Sequence, residues 1–199
     1  MSRFVRSRTA VNPMLQQRIN MPRLTDDDKK LLLTLAREAI VTYVREGITP
    51  ATELSVPSLC EHYGCFVCIK KGGELRGCIG NFTSSQPLYQ QVREMAVSAA
   101  TRDPRFYPMT SKDITDFSLE ISVLSPLEKI SSPEQITVGT HGIYIEKNFC
   151  RGVLLPQVAT EYGWDRDTFL MQTCVKAGLK PDDWREGADI YIFSAEVFS

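Results

Sequence analysis

The chain has 199 residues, 43% hydrophobic and 24% charged, with a net charge of −1. These are ordinary globular values that allow one domain, or one domain in two lobes, to bury a sizeable core. No stretch approaches ~18 consecutive apolar residues and there is no secretory apolar region, so neither a membrane span nor an export signal is expected.

The charge is unevenly spread. Residues 1–24 carry Arg3, Arg6, Arg8, Arg18 and Arg23 and no acid, which leaves −6 on residues 25–199. A mildly acidic body argues against a broad nucleic-acid surface. Nucleic-acid association would rest on the basic arm alone. The arm itself reads as a disordered tail, a transit peptide or an upstream extension ahead of Met21. A dispensable tail is favoured, because an Arg-rich composition without an amphipathic face is weak evidence of targeting. Six cysteines without a secretion signal read as reduced thiols in the cytoplasm.

Thr25 and Asp28 form a T-x-x-D helix entry. Leu31, Leu32, Leu35, Ala36, Ala39, Ile40 and Tyr43 follow at helical spacing, which predicts a helix to about Glu46, stopped by Gly47. Pro50 and Pro57 mark a loop. Gly64–Lys70 reads as a strand, and Gly72-Gly73 turns it back into Leu75–Ile79. Pro87 opens a second helix with Leu88, Val92, Met95, Ala96 and Ala99 on its buried stripe. Asp103–Pro108 is a loop. Phe117–Val123 alternates as a half-buried strand. Ile143–Glu146 and Gly152–Leu155 are further strands. Asp165 caps a helix closed by Gly178, and Ile190–Val197 is the last strand. Hairpins with helices clustered between them predict an α+β fold, mostly antiparallel sheet with packed helices. We expect two lobes of unequal size: a smaller one over about 62–105, and a larger one holding the remainder, the first helix included. A cleft would lie between them.

Three groups of residues carry candidate chemistry. Leu75-Arg76-Gly77-Cys78-Ile79-Gly80 sets a cysteine between two glycines, two residues after an arginine. It reads either as a positioned thiol whose thiolate the cation favours, or as a small apolar filler at a strand end. His141, between Gly139 and Gly142, is either a turn histidine bonded to backbone or a general base. Arg76, Arg102, Arg105, Arg151 and Lys176 are either solvated cations or, if they converge, an anion site. Asp103 could pair with Arg105 or Arg76. Cys60, Cys65 and Cys68 have a superficial cluster spacing. However, Cys65 and Cys68 fall on opposite faces of a strand, so no metal site and no cofactor is expected.

Leu75–Gly80 resembles the LRGCIG signature of the AMMECR-domain family. Asp103-Pro104-Arg105-Phe106, Gly139–Gly142, Gly152–Val158 and Lys176–Leu179 are similar to further blocks of that family, in the same order. The resemblance covers about residues 25–199. It implies a cytoplasmic protein of the first-component type in a three-protein system with a Memo-type protein and a radical S-adenosylmethionine enzyme. The functional expectation is therefore a binding protein that grips or presents an anionic substrate or partner segment. Arg76, Gly77, Gly80, Asp103, Arg105 and Lys176 would line its cleft. The alternative is an enzyme with Cys78 as nucleophile and His141 as base.

Overall fold

The computed structural model describes residues 23–199; the basic arm lies almost wholly outside the described residues. Chain order gives α1 (Asp26–Glu46), α2 (Pro57–Cys60), β1 (Cys65–Lys71), β2 (Glu74–Asn81), α3 (Leu88–Thr101), β3 (Ser118–Leu124) and β4 (Glu128–Lys129). These are followed by β5 (Gly142–Lys147), β6 (Cys150–Leu154), α4 (Pro156–Glu161), α5 (Arg166–Lys176), β7 (Asp189–Phe193) and β8 (Ala195–Phe198). The strands form two four-stranded sheets, in the orders β2-β1-β3-β8 and β4-β7-β5-β6. Every pairing among the described residues is antiparallel, so the α+β class holds.

The helix ends follow from local chemistry. The Thr25 hydroxyl accepts from the Asp28 N–H at 3.1 Å, and the Asp28 carboxylate accepts from the Thr25 N–H at 2.9 Å. Two orphan donors of α1 are thereby satisfied reciprocally. Ser58 donates a further bond to Asp28 at 3.0 Å, which ties α2 to the start of α1. Gly47 ends α1 in the left-handed region at φ 74°. Asp165 caps α5 by accepting from the Thr168 N–H at 2.8 Å.

Two apolar cores result. In the first, Leu32, Ala36 and Ile40 of α1 and Val92, Ala96 and Ala99 of α3 pack with Val67, Ile69 and Ile121 of the first sheet. In the second, Ile143, Ile145 and Ile192 pack with Phe169, Leu170 and Cys174. The first helix thus contributes its apolar stripe to the first core. Its neighbours are α3 and β3. The alanines of α3 are why: small side chains let another helix come close.

The final expected strand also divides. Residues 189–193 pair with β5 in the second sheet, and residues 195–198 pair with β3 in the first. Ser194 is the crossing point. Its N–H donates to the Ser125 hydroxyl at 2.9 Å, and the Ser125 N–H donates to the Ser194 carbonyl at 2.9 Å. Ser125 itself follows β3, where the chain leaves the first sheet for β4. The two crossings therefore satisfy each other's backbone. Near them, the Phe82 ring touches Phe66 of β1 at 5.2 Å, Tyr144 of β5 at 5.6 Å and Phe193 of β7 at 5.5 Å. These side chains lie on the sheet faces turned away from the two cores, so this is where one sheet adjoins the other.

Candidate functional site

The site begins with a register shift. At the turn both glycines have positive φ, 58° at Gly72 and 87° at Gly73, as a two-residue hairpin of the primed type requires. Lys71 faces Glu74 and Lys70 faces Leu75, but Ile69 faces Gly77. Arg76 is the extra residue, a β-bulge. Without it Cys78 would sit opposite Val67; with it Cys78 sits opposite Cys68. The two are joined as a disulfide with Cα atoms 4.1 Å apart, the close spacing of a non-hydrogen-bonded antiparallel pair. The expectation that all six cysteines are free thiols is corrected for this pair. Cys60, Cys65, Cys150 and Cys174 are free. Burial pushes the Cys65 and Cys174 thiols up, away from reactivity.

In a non-hydrogen-bonded pair, the N–H and C=O of Cys78 point away from β1, toward the open edge of the sheet. The loop after α3 covers them. Asp103, only 4% exposed, accepts from the Cys78 N–H at 2.8 Å. Arg105 donates to the Cys78 carbonyl at 3.3 Å. The same carboxylate takes Arg105 Nη2 at 2.7 Å, Nε at 2.9 Å and the Arg105 N–H at 3.1 Å. An acid and a base thus supply the two bonds that a neighbouring strand would make, and they block the edge there. The Arg105 bonds, with the Cys78 N–H, hold the Asp103 carboxyl well below the usual carboxylate range.

Lys176 is the last residue of α5 and is exposed. Local desolvation, with Arg105 adding to it, lowers its ammonium from the ordinary lysine value. Arg76 is turned by the bulge toward the same loop. It donates to the Tyr107 carbonyl at 2.8 Å and lies 3.9 Å from Asp113. Its Nη1 is buried without a partner among the described residues. Gly77 and Gly80 answer to packing within the protein: a Cβ at Gly77 would run into the Ala99 carbonyl of α3, and one at Gly80 into the Cys65 carbonyl and the Phe66 ring. Arg151 is elsewhere engaged, 3.7 Å from Glu146.

His141 makes its contacts with a different loop. The ring is 3% exposed, and its Nδ1 accepts from the Thr137 N–H at 3.1 Å. That bond requires Nδ1 to be unprotonated. Burial lowers the histidine's pKa, partly opposed by the Gln135 backbone and by Glu128. The neutral ring therefore ties together a turn in which the Thr137 carbonyl accepts from the Thr140 and His141 N–H groups. Among the described residues it shares no hydrogen bond with Cys78. The structure thus brings Cys78, Asp103 and Arg105 into direct contact, with Arg76 nearby across the Phe106 ring, and engages His141 in a separate turn. What sequence reasoning missed is Cys68, opposite Cys78. The bulge that creates the pairing has only a faint signal, the glycine next to Arg76.

The described residues thus make an α+β protein of two antiparallel sheets, with a charged, disulfide-bearing cluster at a covered sheet edge. The chain belongs to the AMMECR1 family, whose model matches residues 33–198. It is 43% identical over 190 residues to a protein of Thermococcus onnurineus, covering 89% of this chain and 93% of that one. A Methanosarcina barkeri protein is 40% identical over 185 residues, with 88% and 91% covered. The crystal structure of the uncharacterized protein PH0010 from Pyrococcus horikoshii superposes with a TM-score of 0.80 at 38% identity, covering 87% of this chain and 92% of that one. No helix among the described residues is long and apolar enough to cross a membrane.

Proposed function

We propose that this chain is a binding protein whose site beside Cys78 receives an anionic group, carried by a small substrate or by a partner segment. The observation that supports this best is a guanidinium fixed at the sheet edge, Arg105 bonded to the Cys78 carbonyl and to Asp103. Arg105 is anchored by the buried Asp103, and Lys176, an exposed residue at the end of α5, has its charge disfavoured by local desolvation and by Arg105. Two like charges held together are unfavourable until an anion joins them. Arg105 spends Nε and Nη2 on Asp103 and the Cys78 carbonyl, which leaves Nη1 to donate to a ligand. Asp103 neutralises part of that charge, which favours a singly charged group over a multiply charged one.

The site would open into a cleft between the two sheets, near the Phe82 contacts. The partners would be a Memo-type protein and a radical S-adenosylmethionine enzyme, to which this chain presents the anionic group. A binding role asks nothing of a free Cys78 thiol, and the disulfide to Cys68 fits that reading. The test is a nuclear magnetic resonance titration with acetate and with inorganic phosphate. Saturable shifts at the Cys78, Arg105 and Lys176 amides that vanish in Lys176→Met are expected. Shifts that are absent, or unchanged in the variant, would overturn the reading.

A further inference from the structure

A second site lies on the other side of α3. A groove of about 340 Å³ runs between α3, the end of α1 near Tyr43 and the loop around Thr52, a size in the range of small-ligand sites. It shares no lining residue with the site beside Cys78. Its floor carries Arg93, which is 9% exposed. The one hydrogen bond this guanidinium makes among the described residues is Nη1 to the Thr52 carbonyl, at 3.2 Å. No carboxylate of the described residues stands within ion-pair distance of it. A guanidinium offers five donors, and a buried cation is stable only when paired and hydrogen-bonded.

Two acids do border the groove, but neither meets Arg93. Glu94 follows it directly on α3, and consecutive helical side chains diverge. Glu94 is instead bonded by Gln86 at 3.3 Å. Glu53 is bonded by the Tyr89 hydroxyl at 3.2 Å. Both acids are exposed, at the rim rather than the floor. The groove therefore has a forked cation inside and, at its exposed rim, the two acids Glu53 and Glu94 with one further cation, Arg102. A phosphate dianion would satisfy the floor but leave the two rim acids without a cation from the ligand. A carboxylate with an ammonium group one or two bonds away satisfies both.

We propose that this groove binds a zwitterionic α-amino acid, its carboxylate forked on Arg93 and its ammonium directed to Glu53 and Glu94. The carboxylate supplies the planar partner that a guanidinium accepts through two parallel N–H bonds. The Val97 side chain and the Tyr43 ring give the amino acid's own side chain an apolar wall.

The experiment is calorimetric and resonance titration of the full chain with glycine, alanine and glutamate, against acetate, ethylamine and inorganic phosphate as controls. Saturable binding of at least one amino acid at millimolar concentration is expected, with shifts at Thr52, Arg93 and Glu94. Arg93→Lys keeps the charge and loses the fork, so it should weaken binding about tenfold or more. Glu94→Gln should weaken the amino acid but not acetate. Circular dichroism shows whether each variant is folded; Glu94→Gln, at an exposed position, keeps the test decisive if Arg93 variants do not fold. The proposal is overturned if no amino acid binds, if phosphate binds in place of amino acids, or if both variants bind as the natural chain does.

Discussion

Replacing Asp103 by Asn removes one charge from the point where the edge strand, the loop after α3 and Arg105 are tied together. The carboxylate accepts four hydrogen bonds, and the amide keeps one acceptor oxygen. A hydrogen bond to a charged, buried group is worth about 1.5–3 kcal/mol. Arg105 is 55% exposed at its side chain, so solvent screening limits its share to under about 1 kcal/mol. The expected loss is therefore about 2 kcal/mol at neutral pH, dominated by the bond to the Cys78 N–H. For a chain of this length that is a fall in Tm of roughly 4–8 °C. The pH dependence has a defined sign. The folded-state pKa of Asp103 is lowered, so its contribution is fully present above the unfolded value of about 3.9 and is lost as pH falls toward the folded value. Urea unfolding followed by circular dichroism at neutral pH and at about pH 3 measures both. A loss below about 0.5 kcal/mol at neutral pH, or a difference between the proteins that does not shrink in acid, would refute the role given to this carboxylate.

Two further outcomes follow from the same hairpin. Gly77→Ala drives a methyl group into the Ala99 carbonyl of α3 and should cost about 1–3 kcal/mol; urea unfolding at the natural chain's level would contradict the packing of β2 on α3. Alkylation of the unfolded chain without reductant should modify Cys60, Cys65, Cys150 and Cys174 and spare Cys68 and Cys78, with all six modified after reduction. Mass spectrometry reads both, and six modified cysteines without reductant would remove the disulfide.

Helices α1 and α5 were legible because their ends are written in short-range chemistry. Thr25 with Asp28, Gly47 and Asp165 act within one turn of themselves. The hairpin was legible for the same reason, through Gly72-Gly73. Its register was not, since the shift at Arg76 is a choice of one pairing over another one residue away, made by the packing of Gly77 on α3. The break at Ser194 was hidden because Ile190–Val197 reads as a continuous strand; which sheet each half joins depends on Ser125, far away in sequence. At the site, Cys78, Asp103, Arg105 and Lys176 could be named from the chain. That Asp103 serves the backbone of Cys78 could not, because an edge strand's open bonds exist only once the sheet has formed. His141 was named for chemistry, but burial and the Thr137 bond engage its ring in a turn.

The most direct measurement is the pKa of Lys176, read from its side-chain resonances as pH is raised, with and without acetate. A value below that of an ordinary lysine in the free protein, rising when acetate is added and restored toward normal in Arg105→Gln, is the outcome expected of two cations sharing an anion. An ordinary value that acetate leaves unchanged would contradict the anion site.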